Sequence, residues 1–380
     1  AGLSSTASAF SSTADDQSAW QMVNPAAEWT PRAGLQAAEL DGMLIVMGGR
    51  TPRPPRKPPL PGDSDLHSDV WRSADGGASW VQLREEAEWA PRAYFRALVL
   101  RSRIFVFGGQ NFMPVTLPNG QLISKSKFFN DCWSSANGIE WRRETAAAGW
   151  SPRAGLSGIA LGGQLVVLGG SVNDDSAIVA GPAPRTYFND VWRSADGVSW
   201  TRLVEEAPWP KRAGARVAVK DGALFLFGGE AGFLPRPGEA ELPYFNDVWA
   251  SNDGGSQWER LVANGDAPWP SRPGHEVLLL NGAFVLFGGF RPDESGFGED
   301  NPNDMWSSGD GKLWQLLPKT PWNAVRTSQV KYDFAALTVR SQQGRERILT
   351  FGGDRETFNF FDETQYLRVD NDVWRYGDAP

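Results

Sequence analysis

Short apolar runs recur along the chain, and most end in a pair of glycines: Leu44–Met47 before Gly48-Gly49, Ile104–Phe107 before Gly108-Gly109, Leu165–Leu168 before Gly169-Gly170, Leu224–Phe227 before Gly228-Gly229, and Phe284–Phe287 before Gly288-Gly289. A last pair, Gly352-Gly353, follows the same type of run. The runs do not alternate with polar residues, which predicts strands covered on both faces. Hairpin dipeptides precede several of them, namely Asp41-Gly42, Gly162-Gly163, Asp221-Gly222 and Asn281-Gly282. Each should join the run to an earlier strand such as Arg212–Val219. The glycine pair marks a bend or a close backbone approach. A variable insertion follows, and then a third strand carrying Asp-Val-Trp. A turn such as Ser194–Gly197 leads to a fourth strand beginning near Trp200.

The third-strand unit stands at Ser68–Trp71, Asn130–Trp133, Asn189–Trp192, Asn246–Trp249, Asn303–Trp306 and Asn371–Trp374, six copies in all. A period of about 60 residues therefore sets the fold. Six antiparallel four-stranded meanders, each buried on both faces, predict an all-β, six-bladed β-propeller. The 18 tryptophans fall into triplets, and the sixth is split between Trp374 at one end and Trp20 and Trp29 at the other. The segment Ser18–Val23 is thus expected to supply the outer strand of the last blade and close the ring.

The glycine pair, the insertion, Asn-Asp-Val-Trp and the later tryptophan resemble the kelch repeat, over residues 18–377. The turn Ser73–Trp80 also resembles the Asp-box turn of sialidase-type propellers. The resemblance implies a propeller and leaves function open, since kelch proteins include binding adaptors, sugar-processing enzymes and a copper oxidase.

A net charge of −8 and the lack of a basic stripe argue against a nucleic-acid partner. No apolar run approaches the length of a transmembrane helix. The single cysteine, Cys132, takes a valine position of the repeat and reads as a buried filler. Residues 1–17 are small, polar and aperiodic, and are expected to form a flexible leader ahead of one propeller domain at 18–377. The start at Ala1 favours an extracytoplasmic space or an organelle lumen over the cytosol.

The long insertions all emerge on one face, where binding is expected. Thr51–Pro61 is proline-rich and carries Arg53, Arg56 and Lys57, which suggests an extended arm. Other insertions expose Phe112, Phe233, Leu234, Phe358, Phe360, Phe361 and Tyr366. Apolar insertions of differing sequence suit a protein-docking surface, so a non-catalytic scaffold or binding subunit without a cofactor is the expectation.

A basic residue stands before each first strand: Arg32, Arg92, Arg153, Arg212 and Arg272, with Arg326 or Lys331 in the irregular sixth repeat. They match six aspartates (Asp69, Asp131, Asp190, Asp247, Asp304 and Asp372) and read as structural ion pairs, with an anion-binding ring as the alternative. Copper-radical chemistry is disfavoured because only His67, in a proline-rich insertion, and His275 are present. Sialidase-like chemistry would draw on Tyr94 and Tyr332, placed on first strands. The enzymatic alternative is a kelch-type sugar epimerase or mutarotase acting on a small acidic sugar, with Glu276, His275 and Arg272 as candidates.

Overall fold

The computed structural model describes residues 19–53, 64–174, 185–232, 243–291, 302–323, 331–341, 343–356 and 368–377. Six four-stranded antiparallel sheets account for nearly all of the regular structure. Blade 1 runs inward to outward through Gln36–Leu40, Met43–Pro52, Ser64–Ser73 and Val81–Arg84. Blades 2 to 5 repeat this order, with innermost strands at Arg96–Leu100, Ser157–Leu161, Arg216–Lys220 and His275–Leu280. Blade 6 takes Ala335–Arg340, Glu346–Asp354 and Val369–Tyr376 from the C-terminal part and Trp20–Asn24 from the N-terminal part.

That last strand pairs Trp20 with Tyr376 and Met22 with Trp374, as the split tryptophan triplet requires. Trp20 is buried and packs edge-on against Trp322 at 4.9 Å and Phe287 at 5.5 Å. The closing strand thus enters the packing between blades 5 and 6.

The apolar runs form the second strands, and their two faces feed different clusters. Val46 of blade 1 packs with Leu349, Phe351 and Val373 of blade 6, while Ile45 and Met47 pack with Val106 of blade 2. Continuous apolar sequence is the direct consequence of this double burial. Tryptophans seal each seam edge-on, as in Trp29 on Trp80 at 6.1 Å and Trp150 on Trp200 at 5.8 Å.

Hairpin turns such as Asp221-Gly222 have φ of 52° and 80°, the left-handed pair that Asp-Gly tolerates. At the third-to-fourth turn Ser73 Oγ accepts from Gly77 N at 2.9 Å and Asp75 Oδ1 accepts from Ser79 N at 2.9 Å. These turns are closed on themselves. The glycine pairs are demanded on two counts: Gly49 has φ of 101°, and a Cβ there would lie 2.8 Å from Ala33 O.

Two local expectations need correction. The insertion after Gly49 begins as an extension of the sheet, with Arg50 paired to Leu66 and Pro52 to Ser64. His67 therefore lies on a paired strand facing Gly49, not within the proline-rich insertion. The innermost strands also start later than expected, at Arg216 in blade 4 and Ala335 in blade 6, so Tyr94 and Tyr332 precede them. The segments 1–18 and 54–63 lie outside the described residues.

Candidate functional site at the channel mouth

The six basic residues ahead of the inner strands are buried, with exposures of 0% or 1%. Arg153 donates through Nε to Ser151 O at 2.9 Å, through Nη1 to Gly169 O at 3.0 Å, and to both oxygens of Asp190. The other arginines repeat the ion pair, to Asp69, Asp131, Asp247 and Asp304. Lys331 meets Asp372 at 2.5 Å in blade 6, and Asp370 bridges it to Arg355. Each aspartate also accepts from the indole two residues on, as Asp69 does from Trp71 at 2.8 Å. Burial opposes ionisation of Asp69, Asp131 and Asp304, yet the arginine and indole donors outweigh it and hold these carboxyls below their usual range. Cations so enclosed fasten the entry of each blade to its third strand.

Inside this frame lies a second ring, made of backbone. Gly34, Tyr94, Gly155, Gly214, Gly274 and Asp333 occupy the same place in successive blades, all with φ between 48° and 66°. Tyr94 N donates to Gly34 O, Gly155 N to Tyr94 O, Gly214 N to Gly155 O, Asp333 N to Gly274 O and Gly34 N to Asp333 O. Four blades use glycine where only glycine is comfortable. Tyr94 and Asp333 hold side chains there in spite of the left-handed backbone, and such positions collect at functional sites.

Above the ring stand the residues that follow the glycine pairs: Arg50, Gln110, Ser171, Glu230, Phe290 and Asp354. Five of them bridge to the chain just before the ring, as Arg50 does to Ala33 and Asp354 to Tyr332. Arg50 is the hub of one side. Its Nε donates to Tyr94 Oη at 2.8 Å, and its Nη2 reaches Asp354 Oδ2 at 2.5 Å and Glu356 Oε2 at 3.0 Å. Burial, followed by their mutual charge, pushes Asp354 well up from the usual carboxyl range, with Arg50 pulling back. Burial likewise raises Glu356, again against Arg50. Burial raises the phenols of Tyr94 and Tyr332 above their ordinary value, against partial opposition from Arg50.

Below the ring, two residues after each of its members, stand Gln36, Arg96, Ser157, Arg216, Glu276 and Ala335. They clasp blade to blade: Arg96 Nε donates to Leu156 O at 2.8 Å, Ser157 Oγ to Ala215 O at 2.5 Å, and Arg216 Nε lies 3.0 Å from Glu276 Oε1. Burial raises Glu276, which Arg216 and Arg96 partly offset. Arg96 and Glu276 belong to blades 2 and 5, so their mutual influence runs across the central axis.

Of the three residues considered for sugar chemistry, only Glu276 joins this site. His275 is fully buried, with Nδ1 3.0 Å from Arg272 O and its ring against Trp269, and burial keeps it neutral. Arg272 is committed to Asp304. Burial pushes the Cys132 thiol up, as suits a packing residue. Arg53 is exposed and pairs with Asp65 at 2.8 Å, and Phe112 is half-buried. Arg56, Lys57, Phe233, Leu234, Phe358, Phe360, Phe361 and Tyr366 lie outside the described residues.

The charged mouth was missed by sequence reasoning. Its signal was present at the residue after each glycine pair, which changes in every repeat while the apolar run and glycine pair before it recur.

The description "KLHDC2/KLHL20/DRC7 Kelch-repeats domain" matches residues 34–289. The dynein alpha chain of the flagellar outer arm of Chlamydomonas reinhardtii is 25% identical over 238 residues, 60% of this chain and 5% of that protein. The leucine-zipper-like transcriptional regulator 1 homolog of Drosophila melanogaster is 26% identical over 188 residues, 48% of this chain and 17% of its own length. This chain thus matches a small part of either relative. Among solved structures, the one titled "Structure of YjhT" superimposes with a TM-score of 0.62 over 92% of this chain and 96% of its own, at 16% identity, a likeness of fold. With the repeat read in six blades and the family description matching across most of them, the chain belongs to the kelch-repeat family.

Proposed function

We propose that this chain is a recognition module that receives a partner protein on the insertion face, with the channel mouth as the specific part of the contact. One observation carries this reading. The residues after the glycine pairs are Arg50, Gln110, Ser171, Glu230, Phe290 and Asp354, different in every blade, on a frame that otherwise repeats. A repeated frame supplies stability, and positions that vary upon it supply selectivity. The relatives agree with a modular role, since the matching region is 5% of a dynein alpha chain and 17% of a transcriptional regulator homolog. The test is recovery of a stoichiometric partner from the native source by the parent chain and by an Arg50→Ala, Asp354→Ala double variant. Retention by the parent and loss by the variant supports the reading; equal recovery, or none by the parent, removes it.

A second reading is favoured by Glu276, a buried carboxyl with a raised pKa beside Arg216 on the channel wall. That environment suits a general acid or base in a small acidic sugar's isomerisation. Anomer interconversion followed by NMR, with Glu276→Gln as control, decides it: no acceleration by the parent over buffer ends this reading.

A further inference from the structure

We propose that Glu230 and Asp333 form a cation site at the channel mouth that takes a lysine or arginine side chain presented by the partner. The inference rests on the recognition reading above and names the chemistry of what enters.

The first support is geometric. Gly214 and Gly274 are successive members of the backbone ring, and a carboxyl leans over each. A Cβ on Gly214 would lie 3.3 Å from Glu230 Oε1, and one on Gly274 would lie 2.9 Å from Asp333 Oδ1. The two acids therefore occupy room that glycine leaves free. Asp333 reaches this place only by adopting φ of 48°, where four other blades have glycine. Aspartate tolerates that backbone better than most side chains, and here it adds a carboxyl where those blades have none.

The second support is the balance of charge. Arg50 compensates Asp354 and Glu356, Arg216 compensates Glu276, and the Tyr187 hydroxyl donates to Asp174. Glu230 Oε2 is buried and has no hydrogen-bond partner. Among the described residues nothing hydrogen-bonds or ion-pairs with the Asp333 carboxyl. Burial raises Glu230, the nearby charges of Asp174 and Asp333 raise it further, and Arg216 pulls it back only in part. Burial also raises Asp333, which Arg216, Arg50 and Arg96 only partly offset. Two carboxyls short of a counter-charge call for a cation from outside.

The third support concerns which cation. Among the described residues no group of three or more His, Cys, Asp or Glu side chains is placed to hold a metal ion. An ammonium or guanidinium needs fewer oxygens, and its long apolar stem lets the charged head reach a site set back from the partner's backbone.

Calorimetric titration of the intact chain with acetyl-lysine amide and acetyl-arginine amide tests the site, with acetyl-norleucine amide as the uncharged control. The cations should bind and norleucine should not. Glu230→Gln and Asp333→Gly should each weaken binding about tenfold or more, the effect of losing one charged hydrogen bond. Asp333→Gly should melt no lower than the parent, since it restores the ring glycine, which separates a lost site from a lost fold. Cations binding no better than norleucine, or binding both variants as they bind the parent, would overturn the proposal. A parent that retains its partner protein yet binds neither cation would end this inference and leave the recognition reading. A parent that binds the cations but retains no partner would do the reverse.

Discussion

Arg153 grips Asp190 with both ends of its guanidinium, at 2.5 Å through Nη1 and 3.0 Å through Nη2, while the Phe188 ring lies 3.7 Å from the guanidinium carbon. The pair is enclosed, and repeats of it hold every blade. Removing one partner of such a pair leaves the other charge buried and uncompensated, at a cost of about 3–5 kcal/mol. Arg153→Met should therefore lower the unfolding free energy by about that amount in a urea titration. An unchanged midpoint would mean that the pair does not hold the blade.

Ring closure gives a second prediction. Trp20 is 6% exposed and reaches across to Phe287 and Trp322, so its strand is part of the core between two blades. Trp20→Ala should cost about 3–5 kcal/mol, the range for emptying a buried aromatic site. Deletion through Val23 should do more, because it also exposes the edge of Val369–Tyr376. Equal melting temperatures for parent and deletion would refute closure by this strand.

Tyr94 is expected to matter through its hydroxyl. Its backbone is held at φ of 55°, and its Oη accepts from Arg50 Nε at 2.8 Å. Tyr94→Phe keeps the backbone and the ring but strands that buried N–H, which should cost about 1–3 kcal/mol. Melting of this variant at the parent temperature would show that Arg50 finds another acceptor.

The frame was legible because a repeat reports itself. Double burial makes Leu224–Phe227 apolar throughout, and a shared sixth blade puts Trp374 and Trp20 on paired strands from opposite ends of the chain. The Arg–Asp pairing could be read for the same reason, as both members recur in step. The mouth could not be read so. Glu230 and Asp333 lie over the ring glycines of neighbouring blades although about a hundred residues separate them, and no local pattern relates them. His275 was misjudged for a related reason: its neighbour Glu276 faces the channel, while alternation along the strand turns His275 into the core beneath Trp269.

The dependence of stability on pH should separate two groups of opposite sign. His67 is neutral in the fold: burial and then the Arg32 charge lower it to about 4, against partial support from Asp69 and Asp65. Its contribution is present above the ordinary histidine range, near 6.5, and is lost as pH falls through that range toward about 4. Asp333 is the reverse case. Its folded pKa is raised, so its contribution is complete below the ordinary carboxyl range and is lost as pH rises through the folded value. Melting curves of the parent should therefore fall relative to His67→Gln as the buffer is acidified from neutral. Against Asp333→Gly the parent should instead gain, its deficit shrinking toward the carboxyl range. The charges that act on the two groups differ: Arg32, Asp69 and Asp65 on His67, and Arg216, Arg50 and Arg96 on Asp333. Two difference profiles of the same slope would show that one of these side chains does not sit in the environment assigned to it.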